Sequence, residues 1–256
     1  MKQIESFGQI IFEYNTGPVP PPFCHKYKIA ISKSNHETFH VDLILKYYDR
    51  EELSDEEIFE EGFTKKDDYE WKGDFPIVWG QEIEKKLSST NWKKMPSPRP
   101  DGTEFSIKKV NNDQSEILNS SSSRAWEVFV QEIIQAVFEL SKKEAPLLLG
   151  FISKNSKLEE SKVDFEFSFA TREVKVNSGG KGENSISWAE GQKLLKYIFS
   201  IDYLPEKSMD KIPKKPGNFL NPGDGYWYEL ALHEHANENS RTQIVKLAET
   251  LKSYGR

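Results

Sequence analysis

Cysteine is almost absent from this chain: Cys24 stands alone in 256 residues. One thiol can form neither an internal disulfide nor a cysteine-based zinc site, so neither an oxidising compartment nor a zinc finger is implied, and the cytoplasm is the expected location. Long apolar runs are missing too. No stretch approaches the roughly 18 residues that a membrane-spanning helix needs. The start, Met1-Lys2-Gln3-Ile4-Glu5, has no apolar segment of the kind an export signal carries. Excess positive charge is the third absence. With 35 basic and 41 acidic residues the net charge is -6, which gives no general attraction to phosphate backbones or anionic lipid. A soluble, acidic protein with no membrane association and no nucleic-acid partner is therefore expected.

The familiar catalytic strings are lacking as well. There is no G-x-G-x-x-G and no G-x-S-x-G, and Gly179-Gly180-Lys181-Gly182 lacks the spacing of a phosphate-binding loop and reads as a turn. Aromatic residues, by contrast, are plentiful. The 16 Phe, 10 Tyr and 6 Trp supply burial that a hydrophobic fraction of only 36% would otherwise leave short, so a folded core is expected.

A short apolar run marks a strand from Ile10 to Tyr14, ended by Pro20-Pro21-Pro22, and alternation of apolar and polar residues marks strands from His25 through Ile31 and from Phe39 to Leu45. Ser54 with Glu57 forms a capping box that opens a helix closed near Gly62, and a second helix opens at Pro76. Residues 93 to 123, with Pro96, Pro98, Pro100 and a serine run, read as a connector interrupted by a short strand from Thr103 to Val110. The segment from Arg124 to Lys143 carries apolar residues on more than one stripe and is expected to be a long, buried central helix. Beyond it, Leu147 to Ile152 reads as a buried strand, and Val163, Phe165, Phe167 and Phe169 alternate as the buried face of another. Ser187 with Glu190 forms a second capping box, Tyr226 to His235 reads as a strand, and Ser240 caps a terminal helix.

The expected fold is α+β, with mainly antiparallel sheets packed against helices. Its expected division is an N-terminal lobe over 1–95, a connector over 96–123 and a second lobe over 124–256. A single compact domain over 1–256 is the equal alternative. Both halves run from strands to a helix start bearing tryptophan, at Trp79 and Trp188, but no repeated string accompanies this loose similarity.

The one arrangement with metal-ligand character is His233-Glu234-His235. Two residues apart on a strand point to one face about 6.6 Å apart, so both imidazoles can turn toward one zinc ion. A third ligand must come from elsewhere, and His40, Asp42 or His25 are the candidates. The alternative is a solvated pair at a strand end. Cys24 beside His25 suggests an activated thiolate, but neighbours on a strand face opposite ways, which favours a half-buried inert thiol. Lys207, Lys211, Lys214 and Lys215 near Phe219, Tyr226 and Trp227 have the composition of a single-strand nucleic-acid platform, or of an ordinary exposed loop. Asp49 to Glu61 holds eight acidic side chains and one arginine, which suits a basic protein partner or simply a solvated helix start.

With no catalytic motif beside good helix caps and strand patterning, the chain reads as a non-catalytic binding or protein-interaction protein without a cofactor. The alternative is a metal-dependent hydrolase centred on His233 and His235.

Overall fold

The computed structural model describes residues 7–33, 38–93, 102–111, 114–120, 123–179, 182–230 and 238–255. The chain forms two compact units, Met1–Lys143 and Glu144–Arg256.

In the first unit, strands β1 (Gln9–Asn15), β2 (His25–Lys33) and β3 (Thr38–Tyr47) form a meander. A six-residue helix, α1 (Asp55–Glu60), leads to β4 (Tyr69–Pro76), helix α2 (Ile77–Ser89), strands β5 (Trp92–Lys93), β6 (Glu104–Asn111) and β7 (Gln114–Ser120), and helix α3 (Ser123–Leu140). The sheet order is β4-β3-β2-β1-β6-β7-β5, with antiparallel neighbours throughout. Register explains its two faces. Phe12 is opposite Ile29 and Ile10 opposite Ile31, while those two isoleucines face Leu43 and Val41 on the other side. All six are inaccessible to solvent, so the alternation read from the sequence produces one buried face.

Helices α2 and α3 cover that face. From α3, Trp126 lies against Phe12 with ring centroids 5.8 Å apart, and Phe129 meets Trp79 of α2 at the same separation. Although α3 is the longest helix at 18 residues, Arg124, Ala125, Val128 and Gln131 are exposed, so it is buried on one face and is not the wholly buried central helix expected. Its polar residues interrupt the apolar stripe often enough to leave a wet side.

Strands β6 and β7 occupy much of the expected connector. Over its full length β1 pairs with β6, from Gln9 opposite Val110 to Asn15 opposite Glu104. β6 is the short strand expected from Thr103 to Val110, whereas β7 reads as connector because its residues Gln114 to Ile117 are exposed and mostly polar. The boundary between units falls at Lys143, and α3 belongs to the first unit rather than to a C-terminal lobe.

The second unit contains β8 (Leu147–Lys154), β9 (Glu160–Ser168), β10 (Glu173–Ser178), β11 (Glu183–Ile186), α4 (Trp188–Ile198), β12 (Gly217–Asn221), β13 (Tyr228–Glu229) and α5 (Glu238–Tyr254). Its antiparallel sheet runs β11-β10-β9-β8-β12-β13. Phe151, Val163, Phe165 and Phe167 form the core with Leu194 and Ile198 of α4 and Leu247 and Leu251 of α5. Phe169 lies just beyond β9, half-buried, with its ring 5.0 Å from Trp188. The strand expected over Tyr226 to His235 is only Tyr228–Glu229 among the described residues, and 231–237 lie outside them. Ser240 falls inside α5, which already begins at Glu238. The capping boxes at Ser54 and Ser187 are both formed.

The two units share one order of elements: a four-strand meander, a helix, strands added beside the first strand of the meander, then a closing helix. The helix after each meander has a buried glycine four residues past its N-cap, Gly80 after Pro76 and Gly191 after Ser187. Each glycine approaches the second residue of the third meander strand. A Cβ on Gly80 would lie 1.8 Å from Phe39, and one on Gly191 would lie 2.6 Å from Val174. The glycines therefore mark the equivalence that Trp79 and Trp188 do not, because those tryptophans occupy different helix positions.

Candidate binding face

Among the described residues no helix covers the second face of the first sheet, and its side chains stand in rows across neighbouring strands. In one row Ser106, Glu13, Lys28, Ile44 and Glu70 lie in register on β6, β1, β2, β3 and β4. In the next, Glu104, Asn15, Lys26 and Lys46 occupy β6, β1, β2 and β3. Apart from Glu70, these two rows line a depression of about 510 Å³, within the roughly 300–1,000 Å³ typical of ligand sites.

Its charges are unevenly compensated. A hydrogen bond from Lys108 holds the Glu13 carboxyl below its ordinary pKa against the opposing effect of burial, and Lys28 lies 3.7 Å from the same group. Lys46 is 2.7 Å from Glu70 and 3.5 Å from Asp68. Lys26 faces Lys46 directly, a like-charge pairing that costs stability unless relieved, yet among the described residues it has no ion pair. Glu104, on the far side of Asn15, is also without one among those residues. Two strand spacings separate Lys26 from Glu104, or about 10 Å between backbones. Beyond Lys26, on β3, Ile44 is 36% exposed, and the lysine stems add apolar surface.

This arrangement suits holding a ligand better than transforming one. Ser106 Oγ is 3.5 Å from Glu13 Oε2, but a carboxylate stabilised by an ammonium has little proton affinity and serves poorly as a base.

At one end of the sheet the helix-covered face continues into a ring chain of Phe23, Phe63, Tyr47, His25, Tyr14 and Tyr27. Arg50, buried at 7% exposure, lies 3.9 Å from the centroid of Tyr47 and 4.9 Å from that of Phe63. Its guanidinium donates to the carbonyls of Pro22 and Thr64, each at 2.8 Å, and to Asp67 at 3.0 Å. Burial works to raise the Asp67 pKa, but hydrogen bonds from Thr64 and Arg50 outweigh it and lower the value. Arg50 thus ties the proline tract to the loop before β4, which makes that tract a fixed connection.

The residues singled out from sequence are dispersed. His233 and His235 lie outside the described residues. His40 and Asp42 share the open face of β3, where Asp74 is 3.2 Å from the imidazole of His40 and Lys72 is 2.7 Å from Asp42. His25 Nδ1 is 2.9 Å from the carbonyl of Phe23, so that nitrogen carries the proton. Among the described residues no group of three His, Cys, Asp or Glu is placed to hold a metal ion. Cys24 donates to the Val19 carbonyl at 2.8 Å, and burial raises its thiol pKa, as an inert thiol requires.

In the basic loop Phe219 is fully buried and Trp227 nearly so, packed with Ile152, while Lys215 is paired with Glu229. Two of the three aromatic faces needed for base stacking are therefore occupied. In the acidic segment, Glu57 serves the Ser54 cap and Lys65 lies 2.8 Å from Asp55. No described helix is long and apolar enough to cross a membrane. Comparison with known protein families, curated proteins and solved structures gives no match.

Sequence reasoning missed the depression because its residues come from four strands and become neighbours only through register. A lysine on the polar side of an alternating strand reads as solvation until the facing strand places a second lysine opposite it.

Proposed function

We propose that this chain is a non-catalytic binding protein of the cytoplasm, and that its partner is another protein held on the open face of the first sheet. One observation carries this reading: the depression between β6 and β3 combines an ammonium at Lys26 and a carboxylate at Glu104, neither with an ion-pair partner among the described residues, and exposed apolar surface at Ile44. A protein segment bearing a basic, an acidic and an apolar side chain in that order matches that pattern. The engagement of His40 by Asp74 and of Asp42 by Lys72 also favours binding over metal-dependent hydrolysis, since both candidate third ligands already have partners.

Affinity capture from the native cell tests the proposal, with the wild-type chain compared with the Lys26→Glu/Ile44→Asp variant. A discrete protein recovered in stoichiometric amount with the first and lost with the second, at unchanged melting temperature, is the expected result. Equal recovery by both chains would place the binding surface elsewhere.

A further inference from the structure

The two sheets end in four edge strands of unequal length. Among the described residues β5 and β13 have two residues each and β11 has four, whereas β4 has eight. An open edge presents a row of unpaired N–H and C=O groups, and proteins commonly limit that hazard by keeping edge strands short. Three edges follow that rule. β4 does not, and among the described residues no other backbone segment hydrogen-bonds its outer side.

We propose that β4 pairs with β4 of a second copy of this chain, antiparallel about a two-fold axis through Gly73, to join the two seven-stranded sheets into one. The order of side chains along the strand is self-complementary about that residue. Lys72 comes opposite Asp74 of the second copy, and Trp71 comes opposite its Phe75. Each charge already has a polar partner within its own sheet: Asp42 at 2.7 Å from Lys72, and the imidazole of His40 at 3.2 Å from Asp74. Pairing therefore builds a row across four strands, Asp42, Lys72, then Asp74 and His40 of the second copy, with a symmetric row beyond the axis.

On the helix-covered side the matching row is Leu43, Trp71, then Phe75 and Phe39 of the second copy, all apolar. Trp71 is only half-buried within one chain and has surface left to lose. Gly73 suits the axis because it brings no side chain to the point where the strands cross. The space above it is filled by its own neighbour, since a Cβ there would lie 2.3 Å from the indole of Trp71.

Register is selected by the same charges. A shift that moves the axis to Lys72 sets that lysine against its own copy and Glu70 against Asp74, which repel. The axis runs normal to the sheet, so the two open faces point the same way and both copies of the depression lie on one continuous surface.

Sedimentation equilibrium on the full chain tests this directly. The wild type is expected to dimerise, at twice the chain mass of 29.6 kDa. Lys72→Asp places aspartates opposite one another and Asp74→Lys does the same with lysines, so each variant alone is expected to be monomeric. An equimolar mixture of the two restores opposite charges at both positions and is expected to form a heterodimer. Hydrogen exchange of the β4 amides gives a readout that needs no substitution: protection should rise with protein concentration in the wild type. A wild type that stays monomeric up to its solubility limit would overturn the proposal, as would dimers that persist in both single variants or β4 exchange independent of concentration.

Discussion

Gly80 of α2 lies so close to Phe39 of β3 that a β-carbon on the glycine would sit 1.8 Å from the phenyl ring. The helix can settle on the sheet only because that carbon is missing. Gly191 holds the same position in the second unit, where its β-carbon would meet Val174 at 2.6 Å and Phe167 at 2.9 Å.

Replacing either glycine with alanine is therefore expected to destabilise the protein, although alanine is the better helix former by about 1 kcal/mol. Crowding a packed interface costs about 1–3 kcal/mol, and the net loss should show in denaturant melts of Gly80→Ala and Gly191→Ala. A gain in stability at both positions would mean that the helices can back away freely.

Phe167 is fully buried between β9 and α4. Its replacement by alanine should cost about 3–5 kcal/mol, the usual penalty for emptying a buried phenyl site. A loss below about 1 kcal/mol, small for any core truncation, would place the ring outside the core.

Arg50 should resist conservative replacement. Its planar guanidinium fills the gap between Tyr47 and Phe63 and donates to three acceptors in two segments, which an ammonium cannot reproduce. Arg50→Lys is expected to lower the melting temperature clearly. If that variant is as stable as the parent, the geometry of the guanidinium does not matter.

Acid should weaken the first unit. Glu13 and Asp67 both have lowered pKa values in the fold, Glu13 through Lys108 and Asp67 through Thr64 and Arg50 against burial. A carboxylate with a depressed folded value contributes stability that is full above its unfolded pKa and is lost as pH falls through the folded one. Stability should therefore decline below about pH 4, near the ordinary carboxylate range. Asp67→Asn and Glu13→Gln should each flatten that decline in urea melts run across the acid range.

Purified without a histidine tag, the protein should contain no stoichiometric zinc, and added zinc should leave its melting temperature unchanged. Bound metal that disappears on substituting His233 and His235 together with alanine would reverse the functional reading in favour of hydrolysis.

Much of this architecture is legible in the residues themselves, for physical reasons that differ from element to element. Strands β2, β3 and β9 alternate cleanly because each buries one face under helices, and the boxes at Ser54 and Ser187 declare themselves because capping is local. β6 is legible as a short strand although Ile107 alone on it is fully enclosed, but β7 is obscure because Gln114 to Ile117 are exposed and leave no buried alternation to read. Gly80 and Gly191 look like ordinary helix glycines until the opposing strand is in place. The binding face is the least legible feature, since the conflict between Lys26 and Lys46 exists only once β2 and β3 are in register.

The central claim is that the open face of the first sheet holds a protein partner, and site-specific photocrosslinking in the native cell tests it most directly. A photoreactive phenylalanine analogue at Ile44 should give one adduct of defined mass, abolished by Lys26→Glu, while the same group at exposed Leu148 in the second unit should give none. No adduct at position 44, or one that survives Lys26→Glu unchanged, would contradict the claim.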